Sequence, residues 1–258
     1  MNVLKGFAVL FGLLAVSNFI KPLELASNHG FVFMGRRYTG APNVICSLAF
    51  AGFLAAYARA LWDERGEALP LGIAYAVFVS GNLALFFLRS PELAKESVLF
   101  GVVYSLVATG VTWGAVVAMT RQGITRDAPQ YDTGLRVFAM LFALMALSNF
   151  LKPFSTFENT GFVLFGARLT GSANMVAGPI FGAFLAAYAA AIWTRKSVAV
   201  PMGVAYALYV IANLVLWNVR KPDGANMSLV LSILYLTIAV GVSSGSAFLL
   251  TRVRERLT

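Results

Sequence analysis

The side chains in this sequence that can do chemistry are few, and they come in pairs. Asn18, Asn43 and Asn82 recur 131 residues later as Asn149, Asn174 and Asn213, and Lys21, Arg37 and Arg89 recur as Lys152, Arg168 and Arg220. A carboxamide both donates and accepts hydrogen bonds, while ammonium and guanidinium groups bond strongly to anionic oxygens. Such a set suits holding an anion better than breaking a bond. Its sharpest piece is Arg37 ahead of Thr39-Gly40, with Arg168 ahead of Thr170-Gly171, each just before a long apolar run. A Thr at the N-cap, open backbone N–H groups and an adjacent Arg form an anion seat. Gly30, Gly35 and Gly40, repeated at 161, 166 and 171, permit close backbone approach or positive φ. The apolar GFVFMG stretch between them is expected to lie in the membrane interface or dip into it.

The same residues also have a purely structural reading. An Asn in hydrocarbon can bridge two helices, worth roughly 0.6–2 kcal/mol. Lys21 and Arg89 can close their helices by offsetting the negative end of the dipole, with Pro22 and Pro91 following as stops.

Composition removes most other chemistry. There is one Cys, Cys46, and one His, His29, which excludes an internal disulfide, a thiolate cluster and a bis-His haem. No metal or other cofactor is expected. The apolar cores carry no Asp, Glu, Lys or His, which argues against an ion pump, a proton-coupled transporter and a retinal protein. Nucleophile, base and metal ligand all lack candidates beyond common Ser and Tyr side chains, so an enzyme is not expected. The net charge of +9 comes from cations scattered over the ends of apolar runs. That pattern fits headgroup contact and leaves no expectation of a nucleic-acid partner.

These pairs must be positioned by elements that are themselves paired. Residues 4–121 align with 135–252 without a gap, and about 50 of the 118 aligned pairs are identical. SNFIKP (17–22) matches SNFLKP (148–153), and FLAAYARALW (53–62) matches FLAAYAAAIW (184–193). The chain is 59% hydrophobic, against roughly 45–50% in an average soluble domain, so lipid must be the solvent for most of it. Each copy holds four runs long enough to cross about 30 Å of hydrocarbon as helix. They are placed at 3–20, 41–62, 70–88 and 97–120, then at 134–151, 172–193, 201–219 and 228–251. The expected fold is an all-α membrane protein of eight transmembrane helices, built as 1–121, a connection at 122–134, and 135–258. Four spans per copy is an even number, so the two repeats should run parallel, related by a pseudo-twofold axis along the membrane normal.

The first run resembles a signal peptide, but it recurs in mid-chain and is expected to be retained. Eleven cations fall on the side holding the termini and nine on the other, which favours cytoplasmic termini. The asparagines and paired cations all fall towards the opposite side. Gly110-x-x-x-Gly114 and Gly241-x-x-x-Gly245 predict tight contacts on the fourth helix of each unit. Tyr57, Tyr75 and Trp62, with Tyr188, Tyr206 and Trp193, read as an aromatic belt. The outline of one unit, a helix ending in Lys-Pro, a glycine-rich segment and three further helices, resembles small four-helix DoxX-like membrane proteins. That resemblance implies no site residue.

The expected function is to bind or transport an amphiphilic, anionic small molecule or lipid through Asn18, Lys21, Arg37, Asn43, Asn82, Arg89 and their copies. Membrane lipids are the expected partners. The alternative is a non-catalytic accessory subunit packed against other membrane proteins.

Overall fold

The computed structural model describes residues 3–23, 30–89, 98–124, 130–154, 162–169, 171–220 and 229–258. Thr170, Gly161, His29 and Pro91 lie outside the described residues, as does the side chain of Arg89. The chain divides into two compact units, Met1–Thr133 and Gly134–Thr258.

In the first unit, α1 (Val3–Ile20) runs into a 3-10 turn at Lys21–Leu23, and α2 (Gly40–Trp62), α3 (Ala68–Arg89) and α4 (Val98–Arg121) follow. Pro22 has no N–H to continue the ladder and disfavours helical backbone at Lys21, so α1 stops there. In the second unit, α5 (Gln130–Leu151) likewise runs into a 3-10 turn at Lys152–Phe154, ahead of α6 (Gly171–Trp193), α7 (Ala199–Arg220) and α8 (Leu229–Arg252). Seven of the described helices are long and apolar enough to cross a membrane, and the 24-residue α8 adds an apolar stretch at Leu236–Arg252. This is the make-up of a multi-pass membrane protein. α5 begins four residues before the apolar run because Asp132 in its first turn favours the positive end of the dipole.

α1 packs along α2 and α3 along α4 in the first unit, and α7 along α8 in the second. The core of the first unit is aromatic: Phe11 lies 4.8 Å from Tyr57 and 5.8 Å from Tyr75, ring centre to ring centre. Tyr57 and Tyr188 are fully buried and Tyr206 nearly so. They are core residues and not a lipid-facing belt, since each ring fills space between helices. Trp62, half exposed, keeps a belt position.

The glycine pairs on α4 and α8 make no close helix contact inside their own units. Among the described residues of each unit, a methyl group at Gly110 or Gly241 would meet nothing, and at Gly114 or Gly245 only the edge of Phe7 or Phe138. The close helix approach falls on α6, where a methyl at Gly178 would sit 3.0 Å from the Asn149 carbonyl oxygen and one at Gly182 3.1 Å from that of Ala146. Spacing identifies a small face, but only the partner decides whether it is used.

The strands among the described residues form two hairpins, an addition to the all-helical expectation. β1 (Phe31–Phe33) pairs antiparallel with β2 (Arg36–Tyr38), and β3 (Val163–Leu164) with β4 (Ala167–Arg168).

Candidate functional site

Each hairpin is the GFVFMG or GFVLFG stretch folded back on itself. A two-residue loop between twisted strands needs positive φ at both positions. Met34 and Gly35 have φ of 50° and 72°, and Phe165 and Gly166 have 46° and 76°. Gly35 is required twice over, because a Cβ there would also lie 2.5 Å from the backbone carbon of Leu85 on α3. At Gly166 the added carbon would run into the backbone of Leu216 on α7. The hairpin tips are thus pressed against helix backbone. Phe31 and Phe33 turn inward onto Phe50 and Phe78, with ring centres 4.9 and 5.6 Å apart.

A short hairpin leaves backbone N–H and C=O groups without strand partners, which is costly among apolar helices. Asparagines supply the partners. The Phe31 N–H donates to Asn43 Oδ1 at 2.8 Å. At the tip, Gly35 N–H donates to Asn82 Oδ1 at 2.8 Å while Asn82 Nδ2 donates to the Val32 carbonyl at 3.0 Å. In the second unit, Phe162 N–H donates to Asn174 Oδ1 at 2.7 Å and Gly166 N–H to Asn213 Oδ1 at 2.9 Å. Asn213 Nδ2 and Tyr209 Oη both donate to the Val163 carbonyl, each at 3.2 Å. Asn82 lies about 10 Å along the α3 axis from Arg89, at 1.5 Å per residue, so the tip is level with the last turns of an apolar span. Four of the six asparagines therefore clamp a hairpin to its helices. They join a helix to a strand ladder and not, as the structural reading supposed, one helix to another.

The remaining pair sits at the ends of α1 and α5. Asn18 Nδ2 donates to its own helix at Leu14 O, 2.8 Å away, and its Oδ1 accepts from Lys21 Nζ at 3.5 Å. Asn149 Nδ2 makes the same bond to Met145 O at 2.8 Å, but its buried Oδ1 has no partner among the described residues. The Lys21 ammonium stands 5.5 Å from the centre of the Phe31 ring, and that of Lys152 stands 4.5 Å from the Phe162 ring. Each lysine thereby rests on the aromatic residue whose own N–H is clamped by Asn43 or Asn174.

The arginines lie on the outer side. Arg37 and Arg168 are exposed on the second strand of each hairpin, opposite Val32 and Val163. The Arg168 guanidinium lies 5.2 Å from the Trp217 ring, a cation–π contact. Arg220, also exposed, donates from Nη1 to the Phe165 carbonyl at the hairpin tip, 3.1 Å away. Phe165 itself is 52% exposed, so cation and apolar surface adjoin at one point. Thr39 holds the N-cap position of α2 in an extended conformation, but its side chain makes no capping bond. That piece of the expected anion seat is absent in the first unit.

In each unit the hairpin is therefore the object around which the paired asparagines and lysines and the arginine of its second strand gather. Sequence reading missed the hairpin and with it Phe31, Phe162, Tyr209 and Trp217. The available signal was a β-prone FVF and a basic strand separated by two residues ending in Gly. No group of three His, Cys, Asp or Glu side chains able to hold a metal occurs among the described residues. Comparison with protein-family models, curated proteins and solved structures finds no match for this chain.

Proposed function

We propose that this chain is two fused copies of a four-helix membrane unit, set parallel about an axis along the membrane normal, that binds or moves an anionic amphiphile at the hairpins. The observation that carries the reading is the tip of the second hairpin. There the Arg220 guanidinium is held on the Phe165 carbonyl beside the exposed Phe165 ring, with Arg168 on the adjoining strand stacked on Trp217. A guanidinium suits a phosphate or carboxylate head, and the neighbouring ring suits the start of an acyl tail. The constant offset of 131 residues between corresponding asparagines and cations supports the duplication, and the even number of spans in each copy supports the parallel arrangement. The excess of cations on the side of the termini supports cytoplasmic termini, with the hairpins towards the other leaflet.

Native mass spectrometry of the protein released from nanodiscs containing phosphatidylglycerol tests this reading. Arg37→Ala and Arg168→Ala together should abolish retention of the anionic lipid, and unchanged retention would overturn the proposal. An accessory role is the second reading, favoured by the tight connections at 63–67 and 194–198. Co-purification of defined subunits in mild detergent, with no retained lipid, would select it.

A further inference from the structure

The two copies of the lysine differ in a way that the sequence does not show. Lys21 Nζ is 3.5 Å from Asn18 Oδ1 and 5.5 Å from its ring. Lys152 Nζ has moved in to 4.5 Å from its ring and makes no hydrogen bond or ion pair among the described residues. Asn149, 7% exposed, is left with an acceptor oxygen that no described residue satisfies. Its amide cannot simply turn over, because Nδ2 is held by the Met145 carbonyl. Among the described residues, a half-buried ammonium without an anion stands three residues from a buried acceptor without a donor, an incomplete arrangement. The neighbouring helix differs too: Gly178-Pro179 replaces Ser47-Leu48, so the α6 backbone comes up against Asn149 and Lys152 where Ser47 Oγ turns instead to Asn43.

We infer that Lys152, and not Lys21, is the primary receptor for the head of the anionic amphiphile, one head per chain, with Asn149 as its positioning residue. The ligand's anionic oxygen draws the ammonium off the Phe162 ring, and the moved ammonium then bridges that oxygen and Asn149 Oδ1. Lys21 on Asn18 already displays this second position. Three N–H groups on one nitrogen can serve both acceptors at once. This inference rests on the proposed binding function and adds which copy acts and how its lysine moves.

The test uses the full chain in phosphatidylcholine nanodiscs doped with phosphatidylglycerol, with lysines labelled by 13C at Cε, which leaves all three ammonium N–H groups in place. Loss of one charge-assisted contact corresponds to about a tenfold loss of affinity. Lys152→Met should therefore lower phosphatidylglycerol retention about tenfold, Lys152→Arg should keep most of it, and Lys21→Met should lower it much less than Lys152→Met does. The Lys152 Cε proton signal should start upfield, within the Phe162 ring current, and move downfield as phosphatidylglycerol is added. Asn149→Leu should weaken retention and suppress that movement. Equal losses in Lys21→Met and Lys152→Met, or a Lys152 signal that stays upfield at saturation, would overturn the inference while leaving the binding function standing. Wild-type protein that retains no anionic lipid would overturn both.

Discussion

The clearest energetic contrast in the molecule is between two tyrosines at corresponding positions. Tyr188 and Tyr57 are both fully buried, each with its hydroxyl over a glycine, Gly203 or Gly72, where any side chain would collide with it. The Tyr188 hydroxyl is 3.1 Å from Ser246 Oγ, which also donates to the Ser243 carbonyl at 2.9 Å. Ala115 stands 131 residues before Ser246; it is itself fully buried, and among the described residues the Tyr57 hydroxyl has no partner. Phenylalanine at the two tyrosine sites should therefore act with opposite sign. Tyr188→Phe removes a made bond and should cost about 0.5–1.5 kcal/mol. Tyr57→Phe removes a polar group buried without a partner, so it should stabilise by about 1–3 kcal/mol, the desolvation penalty of such a group. Ala115→Ser should recover part of the same gain, because the introduced hydroxyl can accept from Tyr57 while donating into its own helix, as Ser246 does. Cys46, the one cysteine and fully buried in α2, is a built-in reporter. A thiol-reactive fluorophore in detergent reads unfolding of the first unit directly, and tryptophan emission, from Trp193 and Trp217 as well as Trp62 and Trp113, brings in the second. Tyr57→Phe that unfolds as easily as Tyr188→Phe would refute the reasoning, because it would mean the Tyr57 hydroxyl is satisfied.

Two further perturbations test the hairpin and the helix contacts. Asn82→Leu and Asn213→Leu each remove two bonds to hairpin backbone, and at about 1 kcal/mol apiece, more where the backbone group stays buried, each should cost about 2–4 kcal/mol. Thermal unfolding in detergent measures this, and a loss no larger than in Asn18→Leu would show that the amides do not clamp the hairpin. Gly178→Leu, which drives a side chain into the α5 backbone, should cost more than about 2 kcal/mol, on the scale of overpacked cores. Gly110→Leu and Gly241→Leu should be tolerated, and the opposite ranking would mean that the fourth-helix glycines carry the packing.

Much of the scaffold could be read from residue order. Continuous apolar runs of the length of a bilayer, ended by Lys-Pro or by Arg, locate the helices to within a few residues, because crossing hydrocarbon leaves the backbone no alternative to helix. The paired asparagines and glycines also stood out, since a side chain costly in lipid draws attention wherever it recurs. Their jobs did not. Whether Asn82 faces another helix, a ligand or a strand depends on the rotation of α3 and on what fills the space beside it. Three-residue strands such as Phe31–Phe33 are too short for periodicity to reveal. Residue order alone was enough to say which segments are apolar enough to cross a bilayer and which residues are doubled, because run length and hydropathy are local properties. It took the packed chain to show that four asparagines are spent on hairpin backbone, that Gly178 meets a neighbouring helix within its unit while Gly110 does not, and that one lysine of a matched pair is not bonded to its amide. Each of these depends on a partner brought close by packing, and packing is not written in any one segment.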